Sequence, residues 1–220
     1  MSLETITLYG HGPSPNPWKV ALILEELGLP YEWKQADYKQ IKEGPYLSIN
    51  PNGRLPTIQD PNTGTTIWES GAILEYLVET YDKEHNISFE HGSKDYFLAK
   101  QWLHFQMSGQ GPYFGQLGWF ARFHPEKIQS AIDRYTNEIR RVSGVLDGVL
   151  KDRGYLVGDK FSYVDAAFLP WFETVPFFTD SIDFETEFPH LHAWLEKIRA
   201  RPGIAKPLKE RAQAVAALPK

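Results

Sequence analysis

Alternating apolar and polar residues from Thr5 to Tyr9 give way to a Gly/Pro/Asn turn over Gly10 to Pro17, and then to helical spacing through Val20, Leu24 and Leu27 that stops at Gly28. A second strand follows at Tyr31 to Ala36. A strand, a helix and a strand in that order make the two strands a parallel pair, because the helical crossover returns the chain to the same end of the sheet. Leu55 to Gln59 reads as a third strand and Thr65 to Trp68 as a fourth, with Asn62-Thr63-Gly64 as the hairpin turn between them. Ser70 to Tyr81 closes the unit as a helix.

The order β-α-β, connection, β-β-α is the thioredoxin-like arrangement. Polar and charged residues from Asp82 to Ser93 read as a linker, and beyond it only helical periodicity is found. It runs over Tyr96 to Met107, Pro125 to Leu150, Val164 to Phe172, Pro189 to Ala200 and briefly Pro202 to Lys209, and the Ala-rich tail after Arg211 is weakly determined. The expected fold class is α+β: an N-terminal thioredoxin-like domain (βαβ-ββα) over 1–81, a linker over 82–93, and an all-α C-terminal helical domain over 94–220.

The chain has 220 residues, a formal net charge of -5, and no cysteine. A net negative chain lacks the basic footprint of a nucleic-acid or anionic-membrane binder. Without cysteine there are no disulfides, thiolate metal sites or protein-borne thiol nucleophiles, so any sulfur chemistry must come from a ligand. No run reaches membrane-spanning length and the start lacks the pattern of a signal peptide, which makes the cytosol the expected compartment. The 7 His residues form no helical metal pair, and no metal is expected.

Asn50-Pro-Asn-Gly-Arg-Leu-Pro56, with Glu69-Ser70 thirteen residues further on at the head of an apolar helix, describes a mould for a small peptide. Pro56 removes its own amide donor, while Leu55 still offers an N–H and a C=O to an extended ligand backbone. A cis bond before Pro56 would turn that edge outward. At Glu69-Ser70 a carboxylate and a hydroxyl stand where helix amides point outward, suiting a ligand end with both an ammonium and a carboxylate. The γ-glutamyl end of glutathione is such an end. Taken singly, Arg54 is also a loop charge, and Glu69 and Ser70 are also ordinary caps. Phe161-Ser162-Tyr163-Val164-Asp165 reads as structure: Ser162 caps a helix, Asp165 returns the bond, and Phe161 staples the entry.

Ser14-Pro-Asn-Pro-Trp-Lys-Val20, Asn50-Pro-Asn-Gly-Arg54, Trp68-Glu-Ser-Gly-Ala-Ile-Leu74 and Met107-Ser-Gly-Gln-Gly-Pro-Tyr-Phe-Gly-Gln116 together resemble the soluble glutathione transferase superfamily over essentially the whole chain, and most of all its fungal Ure-type and bacterial Nu-class branches. The resemblance implies glutathione as co-substrate, held by Arg54 and Leu55 along its cysteinyl backbone and by Glu69 and Ser70 at its γ-glutamyl end, with Pro56 also in the binding site. It implies Asn16 as the thiol's partner, with Ser14 as the rival donor, and Lys42 as the nearest match to the group that meets the glycyl carboxylate. It also implies a homodimer.

The aromatic segment from Tyr113 to Phe123, with Tyr113, Trp119, Phe120 and Arg122, suits an apolar second-substrate pocket bearing one cation, and reads equally as helix packing. Gly109, Gly111 and Gly115 have the wrong spacing for a dinucleotide loop. Two functions follow. One is an enzyme that stabilises the glutathione thiolate for attack on a small electrophile or for reduction of a disulfide or peroxide. The alternative is a non-catalytic carrier of glutathione or aromatic ligands, or a regulatory protein of the same fold.

Overall fold

A computed structural model describes residues 2–217, which fall into two compact units: residues up to 88 together with those from 199 onward, and residues 89–198. In the first unit, β1 (Ile6–Gly10), α1 (Pro15–Glu26), β2 (Tyr31–Gln35), the short α2 (Gly44–Leu47), β3 (Thr57–Asp60), β4 (Thr65–Trp68) and α3 (Ser70–Tyr81) follow the expected order. The sheet order is β2-β1-β3-β4. β1 and β2 run parallel, and β3 is antiparallel to both β1 and β4. Leu8 stands opposite Ile58, and Ile58 opposite Ile67, so one sheet face carries an apolar row. Val20 and Leu24 of α1 and Ile73, Leu74 and Leu77 of α3 are fully buried with Leu8 and Ile58.

α1 ends as expected, with Gly28 at φ +63° beyond its last turn. Its start departs from the sequence reading, which began the helix at Pro17. The helix begins at Pro15 with Ser14 as N-cap. Proline is tolerated in a first turn, where its missing N–H has no helical partner, so Pro15 and Pro17 both fit within it. The Leu55–Pro56 bond is cis.

Residues 199–217 were expected with the helical domain and instead cluster with the first unit. α11 (Pro202–Ala216) lies on α1, with Ile204 and Pro207 buried. Arg201 clamps Glu26 through two bonds of 3.0 and 2.6 Å. At the other end of the expected first domain, Asp82 accepts the N–H groups of Asn86 and Ile87, at 2.8 and 2.9 Å, so 82–88 also stays with this unit rather than forming a free linker.

The second unit is helical throughout its described elements: α4 (Lys94–Phe105), α5 (Gly111–Gly118), α6 (Gln129–Leu150), α7 (Tyr163–Phe172), the short α8 (Val175–Phe178) and α9 (Phe184–Glu187), and α10 (Pro189–Arg199). Turns of π-helix over Gln106–Gln110 and Trp119–Phe123 flank α5. α6 begins at Gln129, later than the expected Pro125, and buries Ile139, Val142, Leu146 and Leu150 along one stripe. α7 is buried on every side. At its head the Asp165 carboxylate accepts from the Ser162 N–H at 2.9 Å, the Ser162 hydroxyl at 2.8 Å, the Leu156 N–H at 3.0 Å and the Trp194 indole at 3.1 Å. Gly111 and Gly115 both face the Trp171 ring, where a Cβ would lie 3.5 and 3.3 Å from it, so these glycines serve helix packing.

Candidate active site

Three segments of the first unit meet at a cleft: the start of α1, the turn from Asn50 to Pro56, and the junction of β4 with α3. The cleft holds about 60 Å³ and is lined by Asn16, Asn50, Arg54, Leu55, Pro56, Glu69 and Ser70. Six of these seven are residues singled out from the sequence.

The loop before α1 is shaped by aromatics. Trp18 donates its indole N–H to the Gly12 carbonyl at 2.6 Å and stacks on Trp33 at 4.4 Å. Gly10 is required by that stack, since a Cβ there would fall 2.3 Å from the Trp33 ring. Pro15 and Pro17 carry no N–H, so among the first three residues of α1 Asn16 alone offers a backbone donor at the positive helix end. Its side chain is therefore a group of the first helical turn, one residue inside the helix whose N-cap position Ser14 holds. Ser14, the rival, does not line the cleft; its side chain is engaged with the Tyr38 hydroxyl.

The Asn50 turn is built around a side chain that sequence reasoning did not single out. Asn50 is buried, and its amide donates to the Arg54 carbonyl at 2.8 Å and to the Thr57 hydroxyl at 3.0 Å while accepting the Asn52 N–H at 3.0 Å. Tyr46 adds a second donor to the Arg54 carbonyl at 2.7 Å. Gly53 sits at φ +57°, and a Cβ there would fall 2.7 Å from the Ile41 carbonyl oxygen, which closes the position to any side chain. With the Arg54 carbonyl drawn inward, the Arg54 side chain is left exposed, and Leu55 comes to the cleft with neither its N–H nor its C=O hydrogen-bonded among the described residues. The signal for Asn50 was present in the sequence: an Asn opening a Pro-Asn-Gly turn is positioned to bond its own backbone two residues on.

Glu69 occupies φ 72°, ψ 114°, a conformation that costs a residue with a Cβ about 1 to 3 kcal/mol. It stands at the N-cap of α3, yet its carboxylate makes no capping bond there and faces Asn52, whose amide lies 3.4 Å away. The capping role open to Glu69 from sequence is thus not the one it performs. Ser70 is the first residue of α3 and is buried.

Beneath Ser70 lies Lys19, 1% exposed, with its ammonium 3.3 Å from the Ser70 hydroxyl. Burial lowers its pKa from 10.5 to about 7, against the Glu69 carboxylate, which raises it. Lys19 escaped the sequence reading, although it shares a helix face with Leu22 and Ile23, which marks it as an inward-facing charge.

Lys42 lies outside the cleft lining, exposed at the end of a short turn, with its ammonium 3.4 Å from the Asn52 carbonyl. In the second unit Tyr113 sits on α5, and Trp119, Phe120 and Arg122 sit in the π-turn after it. Trp119 is 47% exposed, Phe120 stacks on Tyr135 at 5.8 Å, and Arg122 donates to the Phe177 carbonyl at 2.7 Å while covering the Phe177 ring. A polar groove of this unit, about 530 Å³, is lined by other residues, among them Asp133, Thr136 and Arg140. Among the described residues no group of His, Asp and Glu side chains could hold a metal ion, and no helix is long and apolar enough to cross a membrane.

Residues 4–79 match the family model described as glutathione S-transferase, N-terminal domain, and residues 111–202 the one described as glutathione S-transferase, C-terminal domain. The glutathione S-transferase-like protein gedE of Aspergillus terreus is 51% identical over 216 residues, spanning 94% of this chain and 95% of its own. This chain belongs to the glutathione S-transferase family. Within the family, glutathione S-transferase 2 of Schizosaccharomyces pombe is 44% identical over 226 residues, 94% of this chain and 96% of its own. The crystal structure of the glutathione transferase URE2P6 from Phanerochaete chrysosporium, in complex with oxidized glutathione, matches with a TM-score of 0.93 at 48% identity, over 96% of this chain and 98% of that one. The chain thus falls on the fungal Ure-type side of the family.

Proposed function

We propose that this chain is a glutathione-dependent transferase that also reduces disulfides or peroxides, binding glutathione in the cleft between Asn16 and Ser70. The observation that carries this reading is the donor set itself. One cleft brings together a strand-end residue with unsatisfied main-chain groups (Leu55), a carboxylate not spent on its helix (Glu69), a buried hydroxyl (Ser70) and a helix start with one amide-bearing residue (Asn16).

Glutathione would lie with its cysteinyl backbone on Leu55, its ammonium toward Glu69 and its α-carboxylate toward Ser70. A glutathione thiol titrates near about pH 8.5, and making it mostly thiolate at neutral pH requires a shift of about 1.5 units, or roughly 2 kcal/mol. The Asn16 amide and the positive end of α1 can supply about that much. The thiol's proton leaves to water. In conjugation the thiolate sulfur bonds to an electrophilic carbon and the leaving group departs with its electron pair. In disulfide reduction the thiolate displaces one thiolate from the disulfide, and a second glutathione thiolate attacks the glutathionyl sulfur of the mixed disulfide, releasing the other and yielding oxidized glutathione. The oxidized glutathione held by the Phanerochaete relative supports this second route. Tyr113, Trp119, Phe120 and Arg122 as the second-substrate wall, Lys42 as a partner of the glycyl carboxylate, a homodimer and a cytosolic location belong to the same proposal.

The test is turnover with glutathione against 2-hydroxyethyl disulfide and an aryl halide, for wild type, Asn16→Ala and Ser14→Ala. Activity lost with Asn16→Ala and kept with Ser14→Ala is expected. Tight glutathione binding without turnover on either substrate would replace this function with that of a carrier.

A further inference from the structure

We propose that Trp119, Arg122, Phe123 and Phe177 form a receptor for flat aromatic acids, so that the second substrate of this chain is an aryl electrophile carrying a carboxylate. The proposal rests on the glutathione reading above and narrows its second-substrate wall to the residues that remain open to a ligand.

The π-turn Trp119–Phe123 is docked on α8 at both ends of the contact. A Cβ on Gly118 would fall 2.6 Å from the Phe178 ring, so the missing side chain is what lets α8 lie against the start of the turn. Further along it, the Arg122 Nε donates to the Phe177 carbonyl at 2.7 Å and the guanidinium lies 5.1 Å from the centre of the Phe177 ring. Three rings of this junction stay uncovered: Trp119 is 47% exposed, Phe123 61% and Phe177 47%. Exposed rings gathered around one cation mark an interaction surface. Phe120 and Tyr113 do not join them. Phe120 stacks on Tyr135 at 5.8 Å and lies 5.2 Å from the His124 ring, and Tyr113 faces Tyr135 at 6.3 Å, so these two serve packing.

With Nε engaged by the Phe177 carbonyl, the guanidinium keeps its Nη1–Nη2 edge, which takes both oxygens of a carboxylate. In the same unit Arg140 is paired with Glu187 and Arg141 with Glu138, whereas no carboxylate among the described residues pairs with Arg122. Its charge is therefore available, and the Phe177 carbonyl and ring hold it in place before a ligand arrives. An aromatic acid meets both halves of this surface, its ring on the exposed aromatic faces and its carboxylate on the Nη edge. A neutral aromatic meets only the rings, and an aliphatic acid only the cation.

Calorimetric titration with 2-naphthoate and its neutral counterpart 2-naphthamide tests the receptor in wild type, Arg122→Gln, Arg122→Lys and Trp119→Ala. Wild type is expected to prefer the acid by about fivefold. Arg122→Gln should erase that preference, Arg122→Lys should keep part of it, and Trp119→Ala should weaken both probes. In turnover with glutathione, Arg122→Gln should raise KM for 4-chloro-3,5-dinitrobenzoate by about fivefold relative to KM for its methyl ester. A preference for the acid that survives Arg122→Gln, or equal loss of both probes in that variant, overturns the receptor. A naphthoate preference without the split in KM overturns its assignment to the second substrate. A change of oligomeric state with Trp119→Ala, read by sedimentation, makes the patch an interface between copies of this chain and overturns the proposal. Turnover of neither dinitro compound by wild type overturns the glutathione reading, and the naphthoate titrations then decide the receptor by themselves.

Discussion

The ammonium of Lys19 lies 3.3 Å from the hydroxyl of Ser70, joining α1 to the head of α3 inside the first unit. Holding it there has a stability cost whose sign is fixed. Its pKa is about 7 folded and near 10.5 unfolded, so between those values the unfolded chain binds the extra proton. The cost is present in full below about pH 7 and is relieved as pH rises toward 10.5, by at most on the order of 1 kcal/mol per pH unit. Urea melts from neutral to alkaline pH are expected to show wild type gaining on Lys19→Met. A constant gap between the two would contradict the buried, depressed lysine.

Glu69 holds a strained backbone at φ 72°. Glu69→Gly is expected to raise stability by up to about 1 kcal/mol, since glycine has no Cβ to strain, while removing the ammonium's partner and weakening glutathione by about tenfold. Glu69→Gln keeps the strain and loses the charge, so it should weaken binding without the stability gain. Denaturant midpoints and ligand titration on the same two variants check both halves.

Asn50 ties the cleft's central turn with three bonds. Asn50→Ala is expected to cost about 2 to 4 kcal/mol, because it leaves the Arg54 carbonyl with one donor fewer and frees the turn that presents Leu55. Thermal unfolding reads the first effect, and glutathione affinity at a temperature where the variant stays folded reads the second. An unchanged melting temperature would remove Asn50 from the scaffold.

Burial pushes the pKa of Asp60 up, but hydrogen bonds from Tyr76, Tyr81 and Asn62 outweigh it and hold the carboxyl below its ordinary range. A depressed carboxyl stabilises the fold above the unfolded pKa, and that contribution is lost as pH falls through the folded value. Asp60→Asn should therefore be less stable than wild type at neutral pH, with the gap closing in acid. Melting curves from neutral to strongly acidic pH check the sign.

The strands were legible because each alternates, and the cleft because its turn chemistry is local: Pro, Gly and Asn in Asn50 to Pro56 announce a turn, and Glu69-Ser70 announces a helix head. What was not legible depended on contacts distant in sequence. The conformation of Glu69 and its turn toward Asn52 arise from packing, so a Glu before a helix read as an ordinary cap. Lys19 read as one charge in an apolar helix until Ser70, Glu69 and the sheet enclosed it. The placement of α11 escaped notice because its buried face carries two apolar residues, Ile204 and Pro207, beside the charged Arg211, and its clamp, Arg201 on Glu26, joins residues 175 positions apart. The π-turn at Gln106–Gln110 is held by a buried bond between the two glutamine side chains and another to the Phe168 carbonyl, partners that no local pattern announces.

The most direct test of the proposed chemistry is the pKa of the glutathione thiol when bound, read from the ultraviolet absorbance of the thiolate across a pH titration. With Asn16 as the thiol's partner, wild type and Ser14→Ala should lower that pKa by about 1.5 units from its free value, and Asn16→Ala should return it most of the way. A bound thiol that titrates like free glutathione in wild type, or one whose lowered pKa survives Asn16→Ala and is lost with Ser14→Ala, would contradict it.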